Sequence, residues 1–331
     1  MLTDIDLTHV DKTRFRGQKV GVVTGGQSSE REISLKTGRG FAEALRALGY
    51  DTEVYDVPGD FARLAQEKPA AVILGLHGGA GENGVLQGYL EALGIPYTGS
   101  GVLASALAMD KGRAKAVLRD VDVPTPAGLR LAGHGELDFE AIEAELELEG
   151  LELPLVVKPN DEGSSVGVHL CREETELAEA IESLWNREVG EGTQAILIEQ
   201  FLDGAEYTVG FFDEICLGSI EVTPGEQFYD FKAKYESSET RYETVEEGGL
   251  KSRLESIGRD AYNALGCRGV ARVDIKANRG PDELELYVLE VNTIPGMTAT
   301  SLVPKLAGSH GISFEDFTEY MLASASCEMQ R

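Results

Sequence analysis

The sequence predicts an α/β unit followed by units of α+β type, and three observations carry that reading. Short β-rich runs alternate with helical patterns through the first third of the chain, which argues a parallel sheet. Later strands are interspersed with helices and separated by Gly- and Pro-containing turns, which argues mixed sheets. The length of 331 residues is enough for two or three domains.

The elements follow in order. KVGVVT (Lys19–Thr24) is a strand ending in Gly25-Gly26, and apolar residues at Ile33, Leu35, Phe41, Ala44, Leu45 and Leu48 predict a helix from Ser29 to Leu48. TEVYDV and AAVILGL are strands around the helical FARLAQEKP, and a further helix covers Gly84–Leu93. One helix is expected from Ala104 to Arg119, ended by Pro124 and Pro126. A second unit then holds the acidic helix DFEAIEAELELEGLE, strands PLVVKPN and SVGVHLCR, the helix TELAEAIESLWN and the strand AILIEQF. The third holds strands EYTVGFF and ICLGSIEV, a polar stretch from Thr223 to Gly249, a helix from Lys251 to Leu265, strands GVARVDIKA and LELYVLEVN, and two final helices.

Composition narrows the partners. Thirty Lys plus Arg against 57 Asp plus Glu give a formal charge of −27, a surface that repels nucleic acid and anionic membranes. No apolar run approaches the ~18 residues that read as a membrane span, and the polar N-terminal segment lacks an apolar signal core. Cys171, Cys216, Cys267 and Cys327 are scattered without C-x-x-C spacing, so neither a zinc site nor a disulfide framework is indicated.

Several segments carry chemistry. Arg272 and Asp274 are two apart in one late strand and Glu290 and Asn292 two apart in the next, so each pair shares a strand face. If these strands pair as a hairpin, Asp274, Glu290 and Asn292 converge as hard oxygen ligands suited to magnesium and phosphate; plain polar alternation is the competing account. In VKPNDEGSSVGV a strand delivers Lys158 and a Gly/Ser turn presents N–H groups able to close over phosphates, or forms the flexible tip of a plain β-hairpin; no Walker pattern is present. ILIEQFLDGAEYTVG places Glu199 and Glu206 where adenine and ribose could be bound, or on a solvated hairpin. FYDFKAKYESSETRY (Phe228–Tyr242), with Lys232, Lys234 and Tyr235, reads as a basic, aromatic lid loop. At the front, GGQSSEREIS puts Glu30 at a helix start without a dinucleotide fingerprint, and LHGGAGENG sets His77 at a strand end among glycines.

Taken together, the ordered set GGQSSEREIS, LHGGAGENGVLQG, YTGSGVLASALAMDK, VKPNDEGSSVGV, FYDFKAKY, RVDI and LEVNTIPGMTATSLVP resembles the D-alanine–D-alanine ligases of the ATP-grasp superfamily, over residues Lys19 to Phe317. The resemblance implies a three-domain ATP-grasp fold with an N-terminal parallel-sheet domain, divided at 18–111, 112–199 and 200–331. It implies ATP-dependent ligation of two D-alanines through an acyl phosphate, for peptidoglycan precursor synthesis in the cytoplasm, by a homodimer. It implies ATP and two magnesium ions, with manganese as the substitute, as what the site binds besides D-alanine.

By residue, the resemblance implies that Lys111, Lys158, Ser165 and Lys234 contact phosphates, that Glu199 and the backbone at Phe201 and Leu202 contact adenine, and that Glu206 contacts ribose. Asp274, Glu290 and Asn292 match the magnesium positions. Glu30 matches the residue that orients the first D-alanine, with Ser164 and Tyr235 as its partners and His77 nearby. Arg272 and the backbone at Gly296 match the stabilisers of the tetrahedral intermediate, and Ser301 and Leu302 match the site for the second carboxylate. Tyr235 favours the dipeptide over the D-alanyl-D-lactate product of relatives in which the lid tyrosine is replaced. Asn83, where many relatives have Asp, and ETVEEGGL, which lacks a Cys-Pro-Ala-like stretch, depart from the pattern. A ligase joining other amino acids, and a non-catalytic nucleotide-binding regulatory protein, are the alternatives.

Overall fold

The computed structural model of the chain describes residues 5, 7, 10–133, 135–163, 166–187, 194–223, 240–280, 284–298 and 301–328. Ser164, Ser165, Lys232, Lys234 and Tyr235 lie outside them.

The first body is the expected α/β unit. Strands β1 (Lys19–Gly25), β2 (Asp51–Val57) and β3 (Val72–Leu74) form a parallel sheet in the order β2-β1-β3, with helices α1 (Arg31–Ala47), α2 (Phe61–Glu67) and α3 (Val85–Leu93). A central parallel strand is covered on both faces, and β1 is buried from Val20 onward. Val20 and Val22 pack in a core with Phe41 and Leu45 of α1, whereas Val23 packs in another with Leu86 and Leu90 of α3. Gly25 ends β1 with φ 93°, and a Cβ there would meet the Asp56 carboxylate and the Val57 carbonyl, so the turn needs glycine.

The helix expected from Ala104 to Arg119 is broken. The structure has α4 (Val102–Met109) and α5 (Lys111–Asp120), separated by Asp110 in an extended conformation (φ −83°, ψ 91°). Asp110 accepts a hydrogen bond from the Arg113 backbone N–H at 3.0 Å and another from the Arg130 guanidinium at 3.1 Å. Capping wins over helix continuation because the carboxylate satisfies a donor that a new helix start leaves orphaned. The break makes Lys111 the first residue of α5.

Two antiparallel sheets follow. The first has the order β4-β7-β5-β6, from β4 (Gly128–Gly133), β5 (Leu155–Pro159), β6 (His169–Cys171) and β7 (Gln194–Gln200). Helices α6 (Phe139–Leu148) and α7 (Glu174–Trp185) close its core through Ile142, Leu146, Ile181 and Leu184. The second has the order β10-β9-β8-β11-β12, from β8 (Glu206–Phe212), β9 (Ile215–Thr223), β10 (Arg241–Thr244), β11 (Val270–Arg279) and β12 (Leu284–Asn292). Strands β4 and β10 are additions to the elements read from sequence.

Alternation along β11 decides what the second sheet presents. Ala271, Val273, Ile275 and Ala277 are buried against Leu254 and Ala261 of α8 (Gly249–Ala264), which also shares its core with Ala114 and Leu118 of α5. Arg272, Asp274 and Lys276 therefore occupy the other face. Helices α9 (Leu302–Ser309) and α10 (Phe314–Ala323) end the fold, and Phe317 joins the core that holds Val20 and Val22. The turn after β12 returns to the first body, where Ile294 packs with Leu74 and Leu76.

Candidate active site

Two cavities meet between these bodies. One, of about 290 Å³, is lined by Glu30, Lys36, His77, Arg272, Gly296 and Ser301 among others. The other, of about 360 Å³, is lined by Lys158, Glu199, Phe201 and Leu202, with Val156, Val166, Val168 and Leu289 as apolar wall. Lys111, Glu206, Asp274 and Glu290 line both, and so form the common rim.

The hairpin expected from the two late strands is present. Asp274 is the register partner of Glu290, and Arg272 that of Asn292, with a bulge after Asp274. Like charges directly opposite on neighbouring strands repel, and cations offset them here. The Arg272 guanidinium donates to both Asp274 oxygens, at 3.0 Å (Nε–Oδ1) and 2.9 Å (Nη2–Oδ2), and Lys111 Nζ lies 3.2 Å from Glu290 Oε2. Thr208, opposite Asp274 on β8, donates its hydroxyl to Oδ1 at 2.6 Å. Asn292 Oδ1 is buried and lacks a hydrogen-bond partner among the described residues. A buried amide oxygen without a donor is costly, and its position beside two carboxylates fits a divalent cation with hard oxygen ligands. The three residues predicted as metal ligands thus line one cavity together.

Lys111 is held as a rim residue by its surroundings. Its backbone N–H donates to the Asn160 carbonyl at 3.1 Å, and its ammonium donates to the Glu162 carbonyl at 2.7 Å. The glycine turn predicted to cover phosphates is therefore tied to the start of α5. Gly163 of that turn also comes close to Glu30: a Cβ on it would lie 3.2 Å from Glu30 Oε2. Glu30 itself is the residue preceding α1 and makes no capping bond with its side chain, which lines the first cavity.

His77 follows β3 and is 5% exposed. Its Nδ1 is 3.1 Å from the Ile294 carbonyl, which only accepts, so in the neutral ring Nδ1 carries the proton. Nε2, 2.9 Å from the Thr37 hydroxyl, is then the acceptor. Glu82 lies 3.8 Å from His77 Nδ1, and burial raises its carboxyl pKa against the opposing influence of the nearby imidazole. Gly296 allows a close approach, since a Cβ there would sit 2.9 Å from Ser301 Oγ. Ser301 precedes α9, and its Oγ accepts from the Thr298 backbone N–H at 3.0 Å. Leu302, the first residue of α9, lines the same cavity.

In the second cavity Glu199 is buried at 2% exposure and meets two lysines. Lys158 Nζ is 2.6 Å from Oε2, and Lys115 Nζ donates to Oε1. Burial alone would raise the Glu199 pKa, but the two ammonium groups outweigh it and the pKa is lowered. Burial disfavours charge on both lysines: the Lys115 pKa falls, whereas Glu199 reverses the effect for Lys158, whose pKa rises. Phe201 donates its backbone N–H to the Pro154 carbonyl at 3.2 Å, and Leu202 lines the cavity beside it. Glu206 starts β8, with Lys276 Nζ 3.7 Å away.

Every predicted site residue that is described lines one cavity or both. Those missed are Lys115, Thr208, Thr37 and Glu82. Spacing gave a signal for two of them: Lys115 is four residues beyond Lys111, and Thr208 is two beyond Glu206 on one strand face.

The chain is similar to known proteins over nearly its whole length. The family model described as D-ala D-ala ligase C-terminus matches residues 117–323. The D-alanine–D-alanine ligase of Geotalea uraniireducens is 43% identical over 326 residues, covering 96% of this chain and 98% of the relative. Among solved structures, the D-alanine–D-alanine ligase of Bacillus anthracis complexed with ATP matches with TM-score 0.78 and 33% identity, over 93% of this chain and 97% of that one. The D-Ala:D-Ser ligase VanG of Enterococcus faecalis matches with TM-score 0.75 and 25% identity, over 92% and 98%.

Proposed function

The chain belongs to the D-alanine–D-alanine ligase family, and on that premise we propose that it joins two molecules of D-alanine with hydrolysis of ATP to ADP and phosphate. The observation that carries this reading is the common rim: Lys111, Glu206, Asp274 and Glu290 line both cavities, so a nucleotide in one can reach an amino acid in the other. Nucleotide binding to a chain of charge −27 needs local cations, and Lys111, Lys158 and Lys276 supply them at the wall of the second cavity.

The residues divide the work. Glu199 and the backbone at Phe201 and Leu202 bind adenine, Glu206 binds ribose, and Lys111, Lys158, Ser165 and Lys234 bind phosphates. Asp274, Glu290 and Asn292 hold two magnesium ions, with manganese as the substitute; when bound, they neutralise charge on the transferring phosphoryl group. Glu30, with Ser164, Tyr235 and His77, orients the first D-alanine. Its carboxylate oxygen attacks the γ-phosphorus, the bond to the β-phosphate breaks, and ADP leaves.

The amine of the second D-alanine, held through its carboxylate at Ser301 and Leu302, loses a proton and attacks the acyl carbon. Arg272 and the Gly296 N–H stabilise the oxyanion, the carbon–oxygen bond breaks, and phosphate departs. The acyl phosphate hydrolyses in water, so closure of the loop carrying Lys234 and Tyr235 must precede it.

The functional division is 18–111, 112–199 and 200–331, in a homodimer that acts in the cytoplasm to supply peptidoglycan precursor synthesis. Among the described residues no helix is long and apolar enough to cross a membrane. A panel of D- and L-amino acids, D-serine included, scored by phosphate release tests the substrate assignment. D-alanine should be the preferred substrate in both positions, and absence of release with D-alanine across pH and salt would overturn it.

A further inference from the structure

Helix α5 carries two lysines four residues apart, Lys111 and Lys115, so both lie on one helix face about 6 Å apart along the axis. They reach different carboxylates. Lys111 meets Glu290 at the rim, whereas Lys115 meets Glu199 in the second cavity. Lys115 lines neither cavity, and its side chain is 3% exposed. It therefore stands behind Glu199 and cannot be a direct ligand of anything bound there. Lys158, on the other side of the same carboxylate, does line the cavity.

A buried ammonium is costly unless it is paired, so Lys115 needs an account. Glu199 is 2% exposed, in a cavity whose lining includes Val156, Val166, Val168, Leu202 and Leu289. In such surroundings a carboxylate with no cation beside it takes up a proton. A protonated carboxyl can donate as well as accept, whereas an ionised carboxylate only accepts, with about four acceptor sites of which the two lysines use two, and so suits a base amino group. Guanine would present an oxygen where adenine presents that amino group, and two acceptors facing each other repel. Lys158 can be drawn towards a nucleotide phosphate, because it faces the cavity. Lys115 cannot, because it is enclosed.

We propose that Lys115 is the resident counter-ion of Glu199, a positioning residue that keeps this carboxylate ionised and fixed at the base end of the cavity while Lys158 is released to the nucleotide. The proposal rests on the reading that the second cavity seats the nucleotide base at Glu199. It makes the choice of adenine over guanine depend on a residue that does not touch the base.

The test is steady-state kinetics of the full-length enzyme at saturating D-alanine, with ATP or GTP varied, for Lys115→Met, Glu199→Gln and the double variant. Lys115→Met should raise KM for ATP at least tenfold, lower kcat less than threefold, and reduce the kcat/KM preference for ATP over GTP at least tenfold. The double variant should lie within twofold of Glu199→Gln alone, because Lys115 acts through Glu199. If Lys115→Met fails to fold, the double variant, which removes both members of the pair, carries the comparison with Glu199→Gln. A KM for ATP within twofold of wild type in Lys115→Met, or a double variant whose effect is the product of the two single effects, would overturn the proposal while leaving the base site standing. If Glu199→Gln itself moves neither KM for ATP nor the base preference, the nucleotide reading of this cavity fails, and the proposal with it.

Discussion

Asp274 stands directly opposite Glu290 in the β11–β12 ladder, so two carboxylates face each other on the rim that both cavities share. Arg272 and Lys111 offset part of their repulsion, and the orphaned Asn292 oxygen lies on the next same-face position of β12. A divalent cation would relieve what remains. Glu290→Gln should therefore lower kcat at least a hundredfold while leaving the thermal midpoint of the metal-free protein unchanged or slightly higher. Magnesium should raise that midpoint in the wild type and raise it less in the variant. An equal magnesium response in both proteins would separate Glu290 from the metal.

Arg272 contacts Asp274 and lines the amino-acid cavity. Arg272→Ala should abolish dipeptide formation, by about three orders of magnitude or more, while ATP affinity measured by calorimetry changes less than fivefold. Ligation surviving that change would remove Arg272 from the oxyanion role.

Gly296→Ala places a methyl group 2.9 Å from Ser301 Oγ, and Ser301 is fixed by Thr298. The strain should appear at the second amino-acid site. KM for the second D-alanine should rise about tenfold, and KM for ATP should stay within twofold, in initial-rate measurements with each substrate varied.

Glu199 gives a pH prediction with a definite sign. Its pKa is lowered from the ordinary 4.5 in the fold, so the stability it contributes is present above that value and is lost as pH falls through the folded value. Glu199→Gln, which strands two buried ammonium groups, should cost about 3 kcal/mol at neutral pH. In urea titrations the gap from wild type should narrow as pH is lowered beneath 4.5. A gap that widens there would contradict the assignment of Glu199 as an ionised partner.

How far the sequence reached depends on local period. Arg272, Asp274, Glu290 and Asn292 were legible because strand alternation puts each pair on one face, and pairing of adjacent strands needed only a short turn. The break at Asp110 was not, because ASALAMDKGRAKAVLR reads as one uninterrupted helix. The cap itself is local, to the Arg113 N–H, but the Arg130 contact that also holds the Asp110 carboxylate is distant in sequence. Lys115 was passed over for the same reason: on a single long helix it reads as one more solvated lysine, and its burial arises only when β7 brings Glu199 against α5. Strand β4 is short and half-buried, so it carried no strong apolar pattern.

The cysteine thiols, buried at Cys171 and half-buried at Cys216 and Cys267, are a further check on the fold. Burial pushes the Cys171 thiol up to about 11 and the Cys216 and Cys267 thiols up to about 12. At pH 8 these groups are almost entirely protonated and shielded, so a chromogenic disulfide reagent should react slowly over minutes with the native protein. All four cysteines should react at once in guanidinium chloride. Rapid reaction of Cys216 or Cys267 in the native state would contradict their packing.

The central claim is that a D-alanine carboxylate is phosphorylated before the amide bond forms. Incubating the protein with ATP, magnesium and D-alanine labelled with oxygen-18 in its carboxylate tests it directly, by mass spectrometry of the released phosphate and of the dipeptide. The account predicts one labelled oxygen in phosphate for each D-alanyl-D-alanine formed, because the attacking carboxylate oxygen leaves with phosphorus. Dipeptide accompanied by unlabelled phosphate would contradict it.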